Sequence, residues 1–120
     1  MTQAFKAGDD LLFQLESGFG LLRVLAVEDQ AEGATVWHLL AYEELFPDAE
    51  TAEAALAQAG ALHPRIRHMA LTDRAFERTP GARLGNRPVT EDELSAYREW
   101  LETDERFVSD RSALLMLGIR

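Results

Sequence analysis

The chain of 120 residues contains no cysteine. Disulfides, thiolate metal sites and thiol nucleophiles are therefore excluded, which fits a reducing compartment. Lysine occurs once, at Lys6, so eleven of the twelve cations are arginine. Proline is scarce, and no low-complexity segment, internal repeat or interdomain linker interrupts the sequence. Long apolar runs are missing as well. Runs such as Leu11–Phe13, Val24–Val27 and Ala113–Leu117 fall far short of the ~20 residues of a membrane span. The opening MTQAFKAGDD lacks an apolar run with a basic flank, so no signal peptide is expected. Together these absences predict a cytoplasmic protein with one domain over residues 1–120 and no membrane contact.

What is present is enough for a folded core. Hydrophobic residues make up 47% and charged residues 28%, well away from the disordered regime. A chain of this length buries roughly two-thirds of its unfolded surface, so it needs no metal to hold it together. The net charge of −9 is unevenly placed. Residues 1–60 carry two cations against eleven acids, whereas residues 61–120 carry ten of each. An acidic half repels phosphate backbones and attracts basic proteins, though acidic composition also serves solubility, as in many bacterial cytosolic proteins. Between Arg65 and Arg87 six arginines meet only Asp73 and Glu77. This segment either matches the acidic half internally or presents an anion-binding face, since arginine pairs bidentately with carboxylates and phosphates.

The coarse pattern is α+β. Leu11–Leu15 and Phe19–Val27 read as two strands joined by a tight turn, with Gly18 and Gly20 supplying positive φ. Strict alternation places Leu22, Val24 and Ala26 on one face and Leu21, Arg23, Leu25 and Val27 on the other. Thr35–Tyr42 is a third strand, after the polar turn Glu28–Gly33. Asp48 is placed to cap a helix running to about Ala59, with Gly60 as its stop. Ile66–Leu71 reads as a strand, with Ile66, His68 and Ala70 opposed to Arg67, Met69 and Leu71. Thr72–Arg78 fits a helical turn and an extended continuation equally well. Ala82–Leu84 is a further short strand. The strongest helix signal is Glu91–Thr103, where Thr90 and Glu93 form a capping box and Leu94, Tyr97 and Leu101 make an apolar stripe. Ser109 or Asp110 can cap a last helix, Arg111–Leu117.

No motif carries a unique chemistry. His63 and His68 are five apart, which is not helical metal spacing, and Pro64 opposes a helix there. The paired acids lie at turns, caps or strand ends, where solvent keeps carboxylates ordinary. No serine sits in a nucleophile elbow, and no glycine loop has the strand–loop–helix context of a phosphate cradle. Aromatics do not interleave with cations as a stacking platform for single strands requires, so nucleic acid is not expected as a ligand. No catalytic residue, metal or cofactor is assigned. Candidate partner-binding residues are Asp9, Asp10, Glu16, Glu28, Asp29 and Glu32, and the partner class is a basic protein. His38, Arg67 and His68 are candidates for lining a pocket between sheet and helices.

The segment Phe5-Lys6-Ala7-Gly8-Asp9, then a strand, a glycine hairpin and Leu22-Arg23-Val24-Leu25, resembles the opening of small SH3-like barrels in a family of bacterial toxin-immunity proteins. Leu84-Gly85-Asn86-Arg87-Pro88-Val89 is similar to the "I-G-N-x-P-L" segment that follows later in that family. The opening also resembles the RNA-polymerase-interaction domain of the CarD type. Two extra residues precede Arg23 relative to the immunity pattern, and the histidine of the CarD hairpin is missing, so no functional residue carries over. The expected architecture is an N-terminal antiparallel curled sheet or small SH3-like barrel covered by two to three helices. The expected function is a non-catalytic protein-binding module that masks a basic surface. The alternatives are an accessory factor of RNA polymerase and a small ligand-binding domain or enzyme.

Overall fold

The structure is a computed structural model that describes residues 5–29, 33–58, 60–79 and 81–113. Five antiparallel strands form one sheet: β1 (Asp9–Leu15), β2 (Gly18–Asp29), β3 (Thr35–Tyr42), β4 (Pro64–Thr72) and β5 (Gly81–Asn86). Their order is β4-β3-β2-β1-β5. The first four strands follow one another as a meander, and β5 returns to pair with β1. Among the described residues β4 and β5 do not pair with each other and remain the two edges. Pro64 fits this position, because the first residue of an edge strand gives up no ladder hydrogen bond.

Among the described residues three helices lie against the sheet: α1 (Ala49–Leu56), α2 (Asp73–Glu77) and α3 (Glu91–Glu102). Asp48 caps α1 as its sequence predicts, accepting from the Thr51 backbone N–H at 2.8 Å. Thr72–Arg78, open between two readings, is helical, because the Thr72 hydroxyl accepts from the Ala75 N–H and starts a turn. The Thr90–Glu93 capping box of α3 is complete. Among the described residues no helix is long and apolar enough to cross a membrane. The helix expected over Arg111–Leu117 lies mostly outside the described residues.

Both faces of the sheet are apolar, so two cores form. The first packs Leu11, Phe13, Leu22, Val24, Trp37, Leu39, Met69 and Leu71 under Ala75 and Phe76 of α2. Trp37 stacks on Phe76 at 4.3 Å and donates its indole N–H to Asp73. The second core packs Leu21, Leu25, Leu40, Tyr42 and Phe46 under Ala52 of α1, with Leu94 and Tyr97 of α3 against it. Gly20 serves this packing in a different way from the positive φ expected of it. A Cβ there would stand 2.5 Å from the Phe13 ring, so the position is glycine to make room.

Among the described residues the register shifts at four places, and two of these β-bulges, each setting two residues against one, change what reaches the α3 side. Val24 pairs with Leu39 but Ala26 pairs with His38, so Leu25 is extra in β2. Beyond it the faces exchange: Val27 joins the first core and Glu28 points to the α3 side. Leu39 pairs with Met69 but Ala41 pairs with Ile66, so Leu40 stands opposite both Arg67 and His68. Ile66 therefore packs with Met69 and Leu71 in the first core. Arg67, which alternation places on the core side, lies instead beside Asp92 and Ser95 of α3.

The second face also buries a charge. Arg23, in the central strand, is 1% exposed and stands directly opposite Asp10 of β1. Its Nε donates to Glu93 at 2.6 Å, and its Nη1 donates to Asp10 at 3.2 Å and to the Gly8 carbonyl at 3.0 Å. Its Nη2 donates to the carbonyls of Arg87 and Pro88, each at 3.0 Å, and to Glu93 at 3.2 Å. Asp10 is paired a second time, bidentately, by Arg87 at 2.7 and 2.9 Å. Gly8 must be glycine here: its φ is +92°, and a Cβ would lie 2.5 Å from the Arg87 carbonyl oxygen. Removing the guanidinium would take a charged donor from two carboxylates and three carbonyls. The variant Arg23→Met should lose about 3–5 kcal/mol of unfolding free energy in urea titration. Glu93→Gln, at a side chain 21% exposed to water, should lose clearly less.

Candidate functional site

The two groups of residues marked by the sequence have different fates. Of the six candidate acids, Asp9 and Asp10 are not at the surface. They are 0% and 1% exposed, and their oxygens are spent inside the protein. Asp10 meets Arg23 and Arg87, while Asp9 accepts from the Lys6 N–H at 2.9 Å and from Asn86 at 2.8 Å. Neither is available to a partner. The physical reason is cross-strand placement. The start of β1 is sandwiched between β2 and β5, which bring Arg23, Asn86 and Arg87 to it. Glu28 is half-buried and engaged with His38. Glu16 and Asp29 are exposed, and Glu32 lies outside the described residues.

The arginine-rich segment follows its plainer reading in part. Arg87 pairs with Asp10, and Arg83 reaches Asp9 at 4.0 Å, so the segment does neutralise acids of the N-terminal half. Arg74 pairs instead with Asp110. Arg65 and Arg67 are exposed on edge strand β4, where charge discourages pairing with another sheet.

Of the pocket candidates, His38 and His68 come together and Arg67 stands apart. His38 Nδ1 and His68 Nε2 are 2.9 Å apart, and His38 Nε2 is 3.0 Å from Glu28 Oε1. The carboxylate only accepts, so His38 donates from Nε2 and accepts at Nδ1, and His68 donates from Nε2. The chain Glu28–His38–His68 thus has one polarity. Tyr97 and Trp100 of α3 close over it, with ring centres 4.4 and 4.8 Å from that of His38. Trp100 is fixed in turn by its N–H bond to the Phe107 carbonyl at 2.9 Å, and Arg106 lies over its ring. The bulge in β2 is needed for this cluster, because it turns Glu28 to the α3 side; His68 already lies on the face opposite Met69, the face of Ala70 and His38.

Electrostatics keep the pair neutral at pH 7. Burial lowers the pKa of His38, against the opposing pull of Glu28. Burial, together with the neighbouring His38, takes His68 down to about 4. Burial also raises the Tyr97 phenol. At the other end of α3, burial works against ionisation of Glu93, but the bonds from Arg23 and Thr90 outweigh it and hold the carboxyl below its ordinary range.

This cluster is packed rather than open. Arg67 lines a cavity of about 40 Å³ with Leu40, Glu93 and Ser95, room for water and not for a substrate. A larger hollow of about 250 Å³, between the end of α1 and the start of α3, is lined by Tyr42, Leu56, Leu62, Arg87 and Asp92 and by neither histidine. The pocket expected to unite His38, Arg67 and His68 is thus filled by Tyr97 and Trp100. Among the described residues no group of three or more His, Asp or Glu is placed to hold a metal ion. Compared with known proteins, the chain matches no family model, no curated protein and no solved structure.

The three histidines should titrate apart. On the surface His63 bonds Glu44 at 2.7 Å, and that hydrogen bond raises its pKa above 6.5. Ring NMR titration should place the His68 midpoint near 4 and the His63 midpoint above 6.5. The signs for stability are opposite. Unfolded His68 takes its proton near 6.5 and folded His68 near 4, so acid favours the unfolded chain across that window. The unfolding free energy should fall from pH 6.5 to 4, with at most about 3 kcal/mol from this group. The His63–Glu44 pair acts the other way: its small contribution is complete below 6.5 and fades as pH rises through the raised pKa.

Proposed function

We propose that this protein is a non-catalytic protein-binding module whose acidic N-terminal side receives a basic protein surface, in the manner of an immunity protein that masks a toxin. The location of charge carries this reading. Asp9 and Asp10 are the fully buried acids among the described residues, and Arg23, Arg83 and Arg87 meet them inside. The other described acids of residues 1–60 are half-buried or exposed. Some of them neighbour an exposed apolar side chain along the chain. The hydrogen bonds between Phe19 and Phe46, both 2.8 Å, hold the turn bearing Glu16 beside the loop of Glu43, Leu45 and Asp48. Leu45 is 54% exposed there. An exposed leucine flanked in the chain by exposed acids suits a partner with cationic edges, because complementary charge steers encounter and fixes orientation.

The rest of the reading follows the N-terminal resemblance: a sheet of small SH3-like barrel type, with β4 and β5 as the edges that closure would join, in a cytoplasmic protein. Purification of the tagged protein from its native cells should yield a basic protein in stoichiometric amount. Capture should weaken by at least about tenfold when salt rises from about 0.05 to about 0.5 M. The triple variant Glu16→Lys, Glu43→Lys, Leu45→Ser should abolish capture and leave the urea midpoint nearly unchanged. Recovery of no stoichiometric protein, or capture indifferent to these substitutions, would overturn the proposal. Recovery of RNA polymerase subunits would replace it with the accessory-factor reading.

A further inference from the structure

Helix α3 is fastened to the sheet at two places with different chemistry. Its first turn is held by Glu93, which accepts from Arg23 Nε at 2.6 Å and from Nη2 at 3.2 Å. Arginine keeps its charge at every relevant pH, so this anchor survives until the carboxylate itself is protonated. The C-terminal half is held by Tyr97 and Trp100 against His38 and His68. No residue of α3 is fully buried, so this half can leave the sheet by giving up partial burial only.

The histidine pair can hold one extra proton and not two. With one, His38 becomes an imidazolium between the Glu28 carboxylate and the Nε2 lone pair of His68. With two, both rings have only donors, and the facing nitrogens at 2.9 Å each carry a hydrogen. The charged or titratable groups that face the pair are Glu28 from β2, Tyr97 from α3 and Arg106 beyond it, over Trp100. Glu28 balances the first proton. Arg106 adds positive charge against the second, and Tyr97 stays neutral throughout.

We propose that the His38–His68 pair is an acid-operated latch, and that its second protonation lifts Tyr97–Glu102 off the sheet while Glu93 keeps the first turn of α3 on Arg23. The helix then pivots on an acid-resistant anchor. Lifting removes the aromatic cover, hydrates both imidazoles and uncovers the sheet around Ala70 and Leu40. A histidine that titrates near 4 when covered and near 6.5 when hydrated favours the open form by about 20-fold at pH 5 relative to pH 7.

Hydrogen exchange on the full chain at pH 7 and pH 5, corrected for intrinsic rates, tests the latch. Amides of residues 97–102 should lose protection by about 20-fold at pH 5, while those of Glu93 and Leu94, which bond Thr90, and of β2 and β3 keep theirs. The variant His68→Gln, whose amide can still donate to His38 but cannot titrate, should keep 97–102 protected at pH 5. In the wild-type protein the midpoint of opening should coincide with the titration of the His68 ring, a comparison that needs no variant. Loss of protection at Glu93 and Leu94 together with 97–102 would mean global acid unfolding and would overturn the latch. So would unchanged protection of 97–102 at pH 5, or a midpoint that follows the carboxylates instead of His68.

Discussion

A guanidinium in the middle of a sheet is the constraint on which this fold depends. Arg23 lies on the central strand, paired on both sides, in a row that continues into Asp10 and Leu40. Taking such a charge out of water is costly, and only a nearly complete set of acceptors offsets it. The set comes from four separate pieces of chain: Gly8 before β1, Asp10 within it, the carbonyls of Arg87 and Pro88 after β5, and Glu93 in α3. Lysine could not replace it, because a single ammonium cannot reach acceptors spread around a planar fork. Glu93 does double duty, closing the capping box of α3 while it accepts from Arg23. The start of the helix and the centre of the sheet are thus fixed to one another.

The fold was most legible where local chemistry decides it. Strands β1 to β3 follow from apolar alternation between glycine and polar turns, and Thr90 with Glu93 announces α3. Helix α1 was legible from Asp48, although it ends at Leu56, earlier than its alanine-rich pattern suggested. The bulges were not legible. An extra residue such as Leu25 leaves no mark in composition, yet it reverses the facing of everything after it on the strand. Glu28 looked like a solvated turn acid for that reason, and Arg67 looked like a neighbour of Met69. Asp9 and Asp10 failed for another reason. They look like surface acids because their partners are distant in sequence: Arg23 is 13 residues from Asp10, and Asn86 and Arg87 are each 77 from theirs. Pairing across that separation is a property of topology, not of the dipeptide.

The two faces of the sheet divide their labour. The first is an apolar core built around Trp37 and Phe76, with the indole hydrogen bond to Asp73 at its margin. The second mixes apolar packing with two polar nodes, the Arg23 cluster and the histidine chain, both beneath α3. Fully satisfied polar nodes add directional demands to a core that packing alone leaves degenerate. They also make one face responsive to conditions that leave the other unchanged. The exposed acids lie outside both nodes, so a change in surface charge need not disturb the interior.

The return of β5 to β1 bears on how the chain acquires its structure in time. Asp10 and Arg23 come together in the first hairpin, as soon as some twenty residues exist. Their remaining partners lie 64 to 77 positions further along. During synthesis the nascent meander therefore holds an arginine and an aspartate that are only partly satisfied until the segment around Asn86–Glu93 emerges. Contacts of such long sequence separation form late and slowly. A stretch made later thus completes the polar centre of one made earlier.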